Sequence, residues 1–413
     1  MTSRNVVLVH YSCHPVIGGV EFVVEGQARV MARNGHHVRV LVGRGEQFTE
    51  GVEVQELEEL GKSSASGTTV SEELAKGEVT DSFRRRKEEI KGRLEQELAG
   101  EDVCIIHNVM TMHFDLALTA ALHELIDELG RQVRFVIWCH DATLAEPHYT
   151  MPKPNAYPWR LLSEHNEQAT YVAISEERRR SVSKVIGIAE DKMRVVPDGL
   201  DGKALLGISD HIWSLAYDLG LLGDTRALMF PSRIVRRKNF ELGVRIVSEL
   251  TSMGVQCRLL ITGPPDPHNP ATVDYYRELH ELRSKLDVEE GVIFLHDVKD
   301  MYLPAGTVTF EDLRDLYAIS DMLLITSVRE GFCLPLLEAG AFKLPIACAN
   351  VAPLPEVVGD DALLFELDEE PKAIAERISE FLEGDRSAKL FKRVLSNYCW
   401  EAVYEKHLKQ LIE

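Results

Sequence analysis

The sequence predicts an α/β protein built from two doubly wound domains with a cleft between them. Three observations carry this. Continuous apolar runs that close on polar residues alternate with stretches at helical spacing, as in parallel sheets covered on both faces. The 413 residues exceed what one hydrophobic core ordinarily serves. Near "MRVVPDGLD" the strand–helix series starts again, with Pro197, Asp198 and Gly199 marking a turn.

In the first half, "NVVLVHYS" reads as the opening strand and "VEFVVEGQARVMARNG" as a helix that Gly35 can cap. "HHVRVLVG", "VCIIHN", "VRFVIWCHD" and "TYVAISEE" read as further strands. Residues 61–100 interrupt this order. "GKSSASGTTVSEELAKGEVTD" reads as a loop or weak helix, and "SFRRRKEEIKGRLEQEL" as a charged, solvated helix. Opposite charges stand four apart there at Arg84/Glu88, Arg85/Glu89, Lys91/Glu95 and Arg93/Glu97, in the less favourable orientation. A basic binding patch at "RRRK" is the alternative reading.

In the second half, "ALMFPSR", "QCRLLITG", "GVIFLHDV", "DMLLITS" and "LPIACANV" read as strands. "NFELGVRIVSELTSMG", "FEDLRDLYAIS" and "PLLEAGAF" read as the helices between them. From about 371 the chain is helical, with apolar residues at helix spacing around Phe381, Leu390, Phe391, Val394, Leu395 and Trp400. The expected division is a domain of 1–197 with a charged helical insertion at about 61–100, and a second domain of 198–385. A C-terminal helix of 386–413 is expected to pack back on the first.

Asp plus Glu (66) outnumber Lys plus Arg (46), for a net charge of −20. Such a field repels nucleic acid and anionic lipid, so neither is an expected partner. A phosphate ligand would need a local cluster of cations. The seven cysteines show no CxxC pair and no Cys/His metal spacing, so no metal site is expected. Several sit in strand-like apolar runs as small hydrophobes, which fits a reducing, cytoplasmic location. The start "MTSRNVVLVHYS" is too short in apolar length for a signal-peptide core. No segment approaches the roughly 18–20 apolar residues that cross a bilayer. Oligomeric state is not legible.

Ligands of open parallel sheets bind beyond the carboxyl ends of the strands. In the first half those ends carry His10 to His14, His107, Asn108, His140, Asp141 and Ser175. In the second half they carry Arg233, Gly263, His296, Ser327 to Glu330, and Asn350. "CHPVIGGVEFVV" joins a strand to a helix; Gly18 and Gly19 make either a tight turn or a loop that bares amides to an anion. It is not GxGxxG. "PSRIVRRKNF" puts Arg233, Arg236, Arg237 and Lys238 ahead of a helix whose N-cap is Asn239. Cations concentrated beside a helix start suit a diphosphate, although such a run can also be a solvated loop.

"TSVREGFCLPLLEAGAF" is the most informative stretch. Pro335 suits a first helical turn, so the helix is expected to start near 335. Glu338 would then lie in its first turn, Glu330 in the loop ahead, and the amides near 336 and 337 would face an anion. Gly331 lets the loop come close. Two carboxylates beside an anion site make sense where they accept hydrogen bonds from neutral, hydroxylated parts of the same ligand. A nucleotide-sugar diphosphate has such parts on both sides. The plainer reading of Glu338 is a favourable charge at the helix dipole.

The run from Glu330 to Glu338 resembles the Glu, seven residues, Glu signature of retaining family 4 glycosyltransferases (glycosyl transferases group 1), which have the GT-B fold. "GGVE", "VAISEERRR", "VVPDGLD", "SRIVRRKN", "LLITG" and "LPEVVGDDALLF" extend the resemblance, in order, along nearly the whole chain. It implies two Rossmann-like domains and transfer of a hexose from a nucleoside-diphosphate sugar to an acceptor hydroxyl. Retained anomeric configuration and no metal or other cofactor are implied as well. Carried onto matching positions, Arg233 and Lys238 would hold the donor diphosphate and Glu338 the ribose hydroxyls. Glu330 would lie beside the transferred sugar, His140 would approach that sugar, and Gly19 would lie under the phosphates. Phe332, Cys333, Leu334 and Val298 are further donor-side candidates; His14, His107, Asn108 and Asp141 are acceptor-side candidates.

Three features depart from the family pattern. Cys333 stands where a second glycine is usual, Asp198 stands where Asn is usual, and "KDMYLPAGTVT" (299–309) resembles an insertion near the base pocket. GDP-mannose is expected slightly ahead of UDP-glucose, with a soluble, sugar-containing acceptor. The rival readings are a nucleotide-sugar epimerase or hydrolase on the same fold, and a non-catalytic sugar-nucleotide-binding protein.

Overall fold

The structure, a computed structural model, describes residues 2–61, 65–265 and 271–413. Packing divides the chain into two compact units: Met1–Asp201 with Tyr398–Glu413, and Gly202–Asn397. The helix Arg386–Asn397, expected with the C-terminal segment, is counted with the second unit.

The first unit holds seven strands: β1 (Asn5–His10), β2 (His37–Val42), β3 (Val52–Glu56), β4 (Val103–His107), β5 (Arg134–Cys139), β6 (Ala169–Ala173) and β7 (Met193–Val195). Their order is 3-2-1-4-5-6-7, and every pairing is parallel. The second unit holds β8 (Arg226–Phe230), β9 (Cys257–Ile261), β10 (Val292–Phe294), β11 (Met322–Ile325), β12 (Ile346–Ala349) and β13 (Leu363–Phe365). Their order is 10-9-8-11-12-13, again parallel throughout. Each sheet therefore reverses its winding once, between β1 and β4 and between β8 and β11. A doubly wound sheet opens a ligand crevice at that reversal.

Burial explains the sequence pattern. Val6 to Val9 and Leu323 to Ile325 are fully buried, because helices cover both faces of each sheet. The first helix, Gly19–Arg33, ends where Gly35 takes φ +84, a left-handed conformation that glycine adopts without steric cost. Three strands, β3, β7 and β13, had no expected counterpart.

The charged stretch after β3 differs from its expectation. Helix Asp81–Leu98 buries Phe83, Ile90, Leu94 and Leu98 along one face and returns the chain from edge strand β3 to central β4. It is a crossover, as parallel pairing requires. Of the four expected charge pairs, Arg93–Glu97 forms at 2.6 Å. Lys87 and Lys91 reach instead to Glu124 (2.5 and 3.3 Å) on the neighbouring helix Leu116–Leu129. The expected loop or weak helix before it lies partly outside the described residues, at 62–64; Ala65–Ala75 is helical.

The C-terminal segment belongs to the first unit because of Trp400. Its indole occupies space that a Cβ on Gly26 or Gly199 would enter, at 1.9 and 2.6 Å. Two glycines thus form its socket. Tyr404 adds a 2.8 Å bond to His36. Phe381 and Leu390, expected in the apolar face, are exposed, whereas Leu395 and Trp400 are buried. Among the described residues no helix is long and apolar enough to cross a membrane.

Candidate functional site

At the reversal of the second sheet, two loops are joined by hydrogen bonds. One leaves β8 at Phe230 and runs through Arg233 into a short turn, Arg236–Lys238, and helix Phe240–Ser252. The other leaves β11 and carries Thr326 to Glu330. Thr326 Oγ1 donates to Lys238 O (3.1 Å) and Asn239 O (2.7 Å), and the Val328 amide donates to Arg237 O (2.9 Å). Asn239 does sit at the N-cap, but at φ +52 and with no side-chain cap bond. Asn tolerates this left-handed backbone better than most residues. The Arg233 loop rests against the exit of β9: a Cβ on Gly263 would fall 2.3 Å from Ser232 O, and the Ile234 amide donates to Pro264 O (3.0 Å).

This joining places Lys238 Nζ 2.5 Å from Glu330 Oε1. Arg237 Nη1 approaches Oε2 at 2.9 Å, and Ser327 Oγ donates to Oε1 at 2.6 Å. The Glu330 and Lys238 side chains are only 5% and 10% exposed. Burial works to raise the Glu330 carboxyl, but the bonds from Lys238, Ser327 and Arg237 outweigh it and hold the group below the usual range. The four expected diphosphate cations thus have three different situations. Arg237 and Lys238 neutralise Glu330. Arg236 is turned away to Glu278 (2.6 Å) and over the Tyr275 ring (4.7 Å). Arg233 is exposed, with no ion-pair partner among the described residues.

The following helix is Leu334–Ala341, with Pro335 in its first turn. Two details correct the expectation. The Leu336 amide already donates to Cys333 O (3.0 Å), so it is not free for an anion. Glu338 lies one residue past the first turn, where it accepts from Tyr317 Oη at 2.7 Å. Burial and then the Glu338 carboxylate raise the Tyr317 hydroxyl far above its usual value, keeping it a donor. Cys333 is buried at φ +71, in backbone that favours glycine. Phe332 and Leu334 on either side are exposed. Val298 packs half-buried against the second unit's core, followed by a single turn Lys299–Tyr302.

In the first unit, the strand ends at the reversal form a histidine chain. His10 Nδ1 lies 2.9 Å from His107 O, and His107 Nδ1 lies 3.1 Å from His140 Nε2. His140 Nδ1 is 3.5 Å from the carboxylate of Asp198, the residue that departs from the family pattern. Burial drives His107 well below its ordinary range and His10 to about 4. Asn108, at φ +61, accepts the His140 and Asp141 amides on its side-chain oxygen (2.9 and 3.0 Å). Asp141 is also held by Arg178 at 3.2 Å.

A cavity of about 450 Å³ opens here. Of the candidate residues, Gly19, Asn108 and Asp141 line it; His14, His107 and His140 do not. His14 is exposed, and the two other histidines are buried. Tyr11, within the strand-end stretch His10 to His14 named in the sequence, also lines it, as do Glu21, Phe114 and Tyr149, which went unrecognised. The Tyr11 hydroxyl is buried without a hydrogen-bond partner among the described residues. At the other site Ser327 lies in the strand-end stretch named in the sequence, though its bond to Glu330 was not foreseen, and Tyr317 was missed.

The family described as Glycosyltransferase Family 4 matches residues 17–203, and that described as Glycosyl transferases group 1 matches residues 218–394. An uncharacterized glycosyltransferase of Methanocaldococcus jannaschii is 24% identical over 58% of this chain and 57% of its own length. O-antigen chain mannosyltransferase B of Escherichia coli is 42% identical over 19% of this chain and 21% of its own. The chain thus spans well under two thirds of these two curated relatives. Mannosylglucosylglycerate synthase of Thermotoga maritima is 24% identical over 83% of this chain and 79% of its own. The solved structure of WaaG, a glycosyltransferase involved in lipopolysaccharide biosynthesis, aligns over 98% of this chain and 99% of its own, with a TM-score of 0.36 and 15% identity. With two parallel, doubly wound units and both halves matched, this chain belongs to the glycosyl transferases group 1 family, of GT-B fold.

Proposed function

We propose that the protein is a retaining, metal-independent glycosyltransferase acting in the cytosol. It moves a hexose from a nucleoside-diphosphate sugar to a hydroxyl of a soluble, sugar-containing acceptor. The observation that carries this reading is the buried Lys238–Glu330 pair beside the start of helix Leu334–Ala341, at the reversal of the second sheet. The mannose-transferring names among the relatives favour GDP-mannose as donor, with UDP-glucose next. Seven free, buried cysteines suit a reducing compartment.

In this reading Arg233 and Lys238 take the diphosphate, and Glu338 takes the ribose hydroxyls beside Tyr317. The bond from the anomeric carbon to the diphosphate breaks, and a bond to the acceptor oxygen forms. The acceptor proton goes to the departing phosphate, whose charge Arg233 and Lys238 stabilise. Lys238 has three N–H donors and can serve Glu330 and a phosphate together. Glu330, steadied by Ser327 and Arg237, presents negative charge to the developing positive charge on the sugar. The acceptor lies in the 450 Å³ cavity of the first unit, among Gly19, Asn108 and Asp141. His140 acts at the transferred sugar on family resemblance.

The test is product analysis with GDP-mannose and UDP-glucose against a panel of soluble glycosides, with excess chelator present. A new glycoside with retained configuration is expected. Release of free hexose alone, or activity that returns only with a divalent ion, would overturn the respective parts of the reading.

A further inference from the structure

We propose that a second chamber beside the first-unit cavity holds the non-reacting ring of the acceptor. The acceptor is then an uncharged glycoside of at least two rings, not a free or phosphorylated monosaccharide. This rests on the glycosyl-transfer reading above.

The chamber is about 300 Å³, at the lower end of the roughly 300–1,000 Å³ typical of small-ligand sites. One wall is helix Ala65–Ala75, which contributes Val70, Ser71 and Leu74. Thr150, Met151 and Trp159 also line it. The two chambers are neighbours: Phe114 lines both, and consecutive residues Tyr149 and Thr150 line the first and the second. Ring contacts link the residues at this shared border, with Tyr149 4.9 Å from His113 and 6.3 Å from Phe114 between centroids. An acceptor whose reacting sugar lies in the first cavity would place its next ring across Phe114, in the second space.

The lining names the chemistry. Apolar surfaces from Leu74, Met151 and Trp159 stand beside the hydroxyls of Ser71 and Thr150. A sugar ring offers the complement, a C–H face and equatorial hydroxyls. The lining includes no Lys or Arg. Its one carboxylate, Asp115, is committed: Oδ2 pairs with buried Arg86 at 2.7 Å, and Oδ1 accepts the Ala117 and Leu118 amides. The one imidazole of the lining, His113, meets Thr143 Oγ1 at 2.9 Å, and a phosphate or carboxylate entering here would lose water with neither Lys nor Arg to replace it. Arg86 also donates to Ser66 Oγ (3.2 Å), which ties the helical wall to the chamber floor.

Saturation-transfer NMR on the full chain, titrating glucose, maltose, mannobiose and glucose 6-phosphate, tests the proposal without requiring turnover. At least one disaccharide is expected to bind about tenfold more tightly than glucose, and glucose 6-phosphate no more tightly than glucose. Ser71→Trp fills the chamber and should reduce the disaccharide's advantage to about onefold. Ala75→Trp, at an exposed lining position, is the second variant, with circular dichroism confirming the fold of each. Equal binding of one ring and two, tighter binding of the phosphate, an advantage untouched by both variants, or no disaccharide binding overturns the chamber. Intact disaccharide binding with no donor turnover would instead fault the transfer reading.

Discussion

Lys238 and Glu330 form a buried ion pair, Nζ to Oε1 at 2.5 Å, across the reversal point of the second sheet. The donor reading gives these residues different parts of one ligand, the diphosphate and the sugar. In the structure they neutralise each other, and Arg237 and Ser327 complete the carboxylate's bonds. Charge is thus stored at the site in compensated form, which lowers the cost of keeping Glu330 ionised and nine-tenths buried.

Lys238→Ala should cut turnover by about 100-fold or more, through loss of charge on the departing diphosphate. Folding should suffer less, by roughly 1–2 kcal/mol, because Arg237 and Ser327 still hold Glu330. Steady-state rates and a urea unfolding curve measure the two effects. Wild-type turnover would remove Lys238 from the chemistry.

Arg237→Ala should make the acid sensitivity of the site begin at higher pH. The folded Glu330 value is depressed despite burial, so its stabilisation is complete above the unfolded-state value and is lost as pH falls through the folded one. Removing one of three opposing bonds raises the folded value. Thermal unfolding from pH 3 to 7 should show a gap between variant and wild type near neutrality that closes in acid. A gap independent of pH would contradict the ionised pair.

Cys333→Gly should leave stability unchanged or raise it by up to about 1 kcal/mol. Cys333 holds φ +71, a conformation that costs a non-glycine residue on the order of 1 kcal/mol or more. Glycine removes that strain but also loses a buried thiol and loosens the unfolded chain. Cys333→Val keeps the strain and adds a branched Cβ, so it should be clearly less stable. Melting temperatures of the two variants decide this, and the reverse ranking would contradict it.

His10 predicts an acid-labile first unit. Its folded value is lowered to about 4, by burial first, against 6.5 in the unfolded chain. Between those values the unfolded state binds the extra proton, so stability falls as pH drops from about 6.5 towards about 4. His10→Gln should lessen that slope, with the share from buried His107 remaining, measured by denaturant unfolding at stepped pH; an unchanged slope would contradict it.

How far the sequence could be read follows from which interactions are local. Central strands such as "VVLVH" and "MLLI" were legible because both faces are buried and the run is continuous. Edge strand β3, "VEVQE", buries only Val52, and β7 and β13 have three residues each, so none makes a clear pattern. Helix Asp81–Leu98 shows the same limit for charge: its lysines pair across to Glu124 and Glu128, which sequence spacing cannot reveal. At the site, residue types at the strand ends could be read, but their pairings could not. Nothing in "RRK" separates Arg236, drawn to Glu278, from Arg237, drawn to Glu330. Tyr317 meets Glu338 through the fold alone.

The central claim is that the second unit holds a nucleoside diphosphate through Arg233, Lys238 and Glu338. Isothermal titration of GDP and UDP into wild type, Lys238→Ala and Glu338→Ala tests it most directly. We expect one saturable site for at least one nucleotide, weakened about tenfold or more in each variant. Equal affinity in all three proteins, or no binding of either nucleotide to the wild type, would contradict the account.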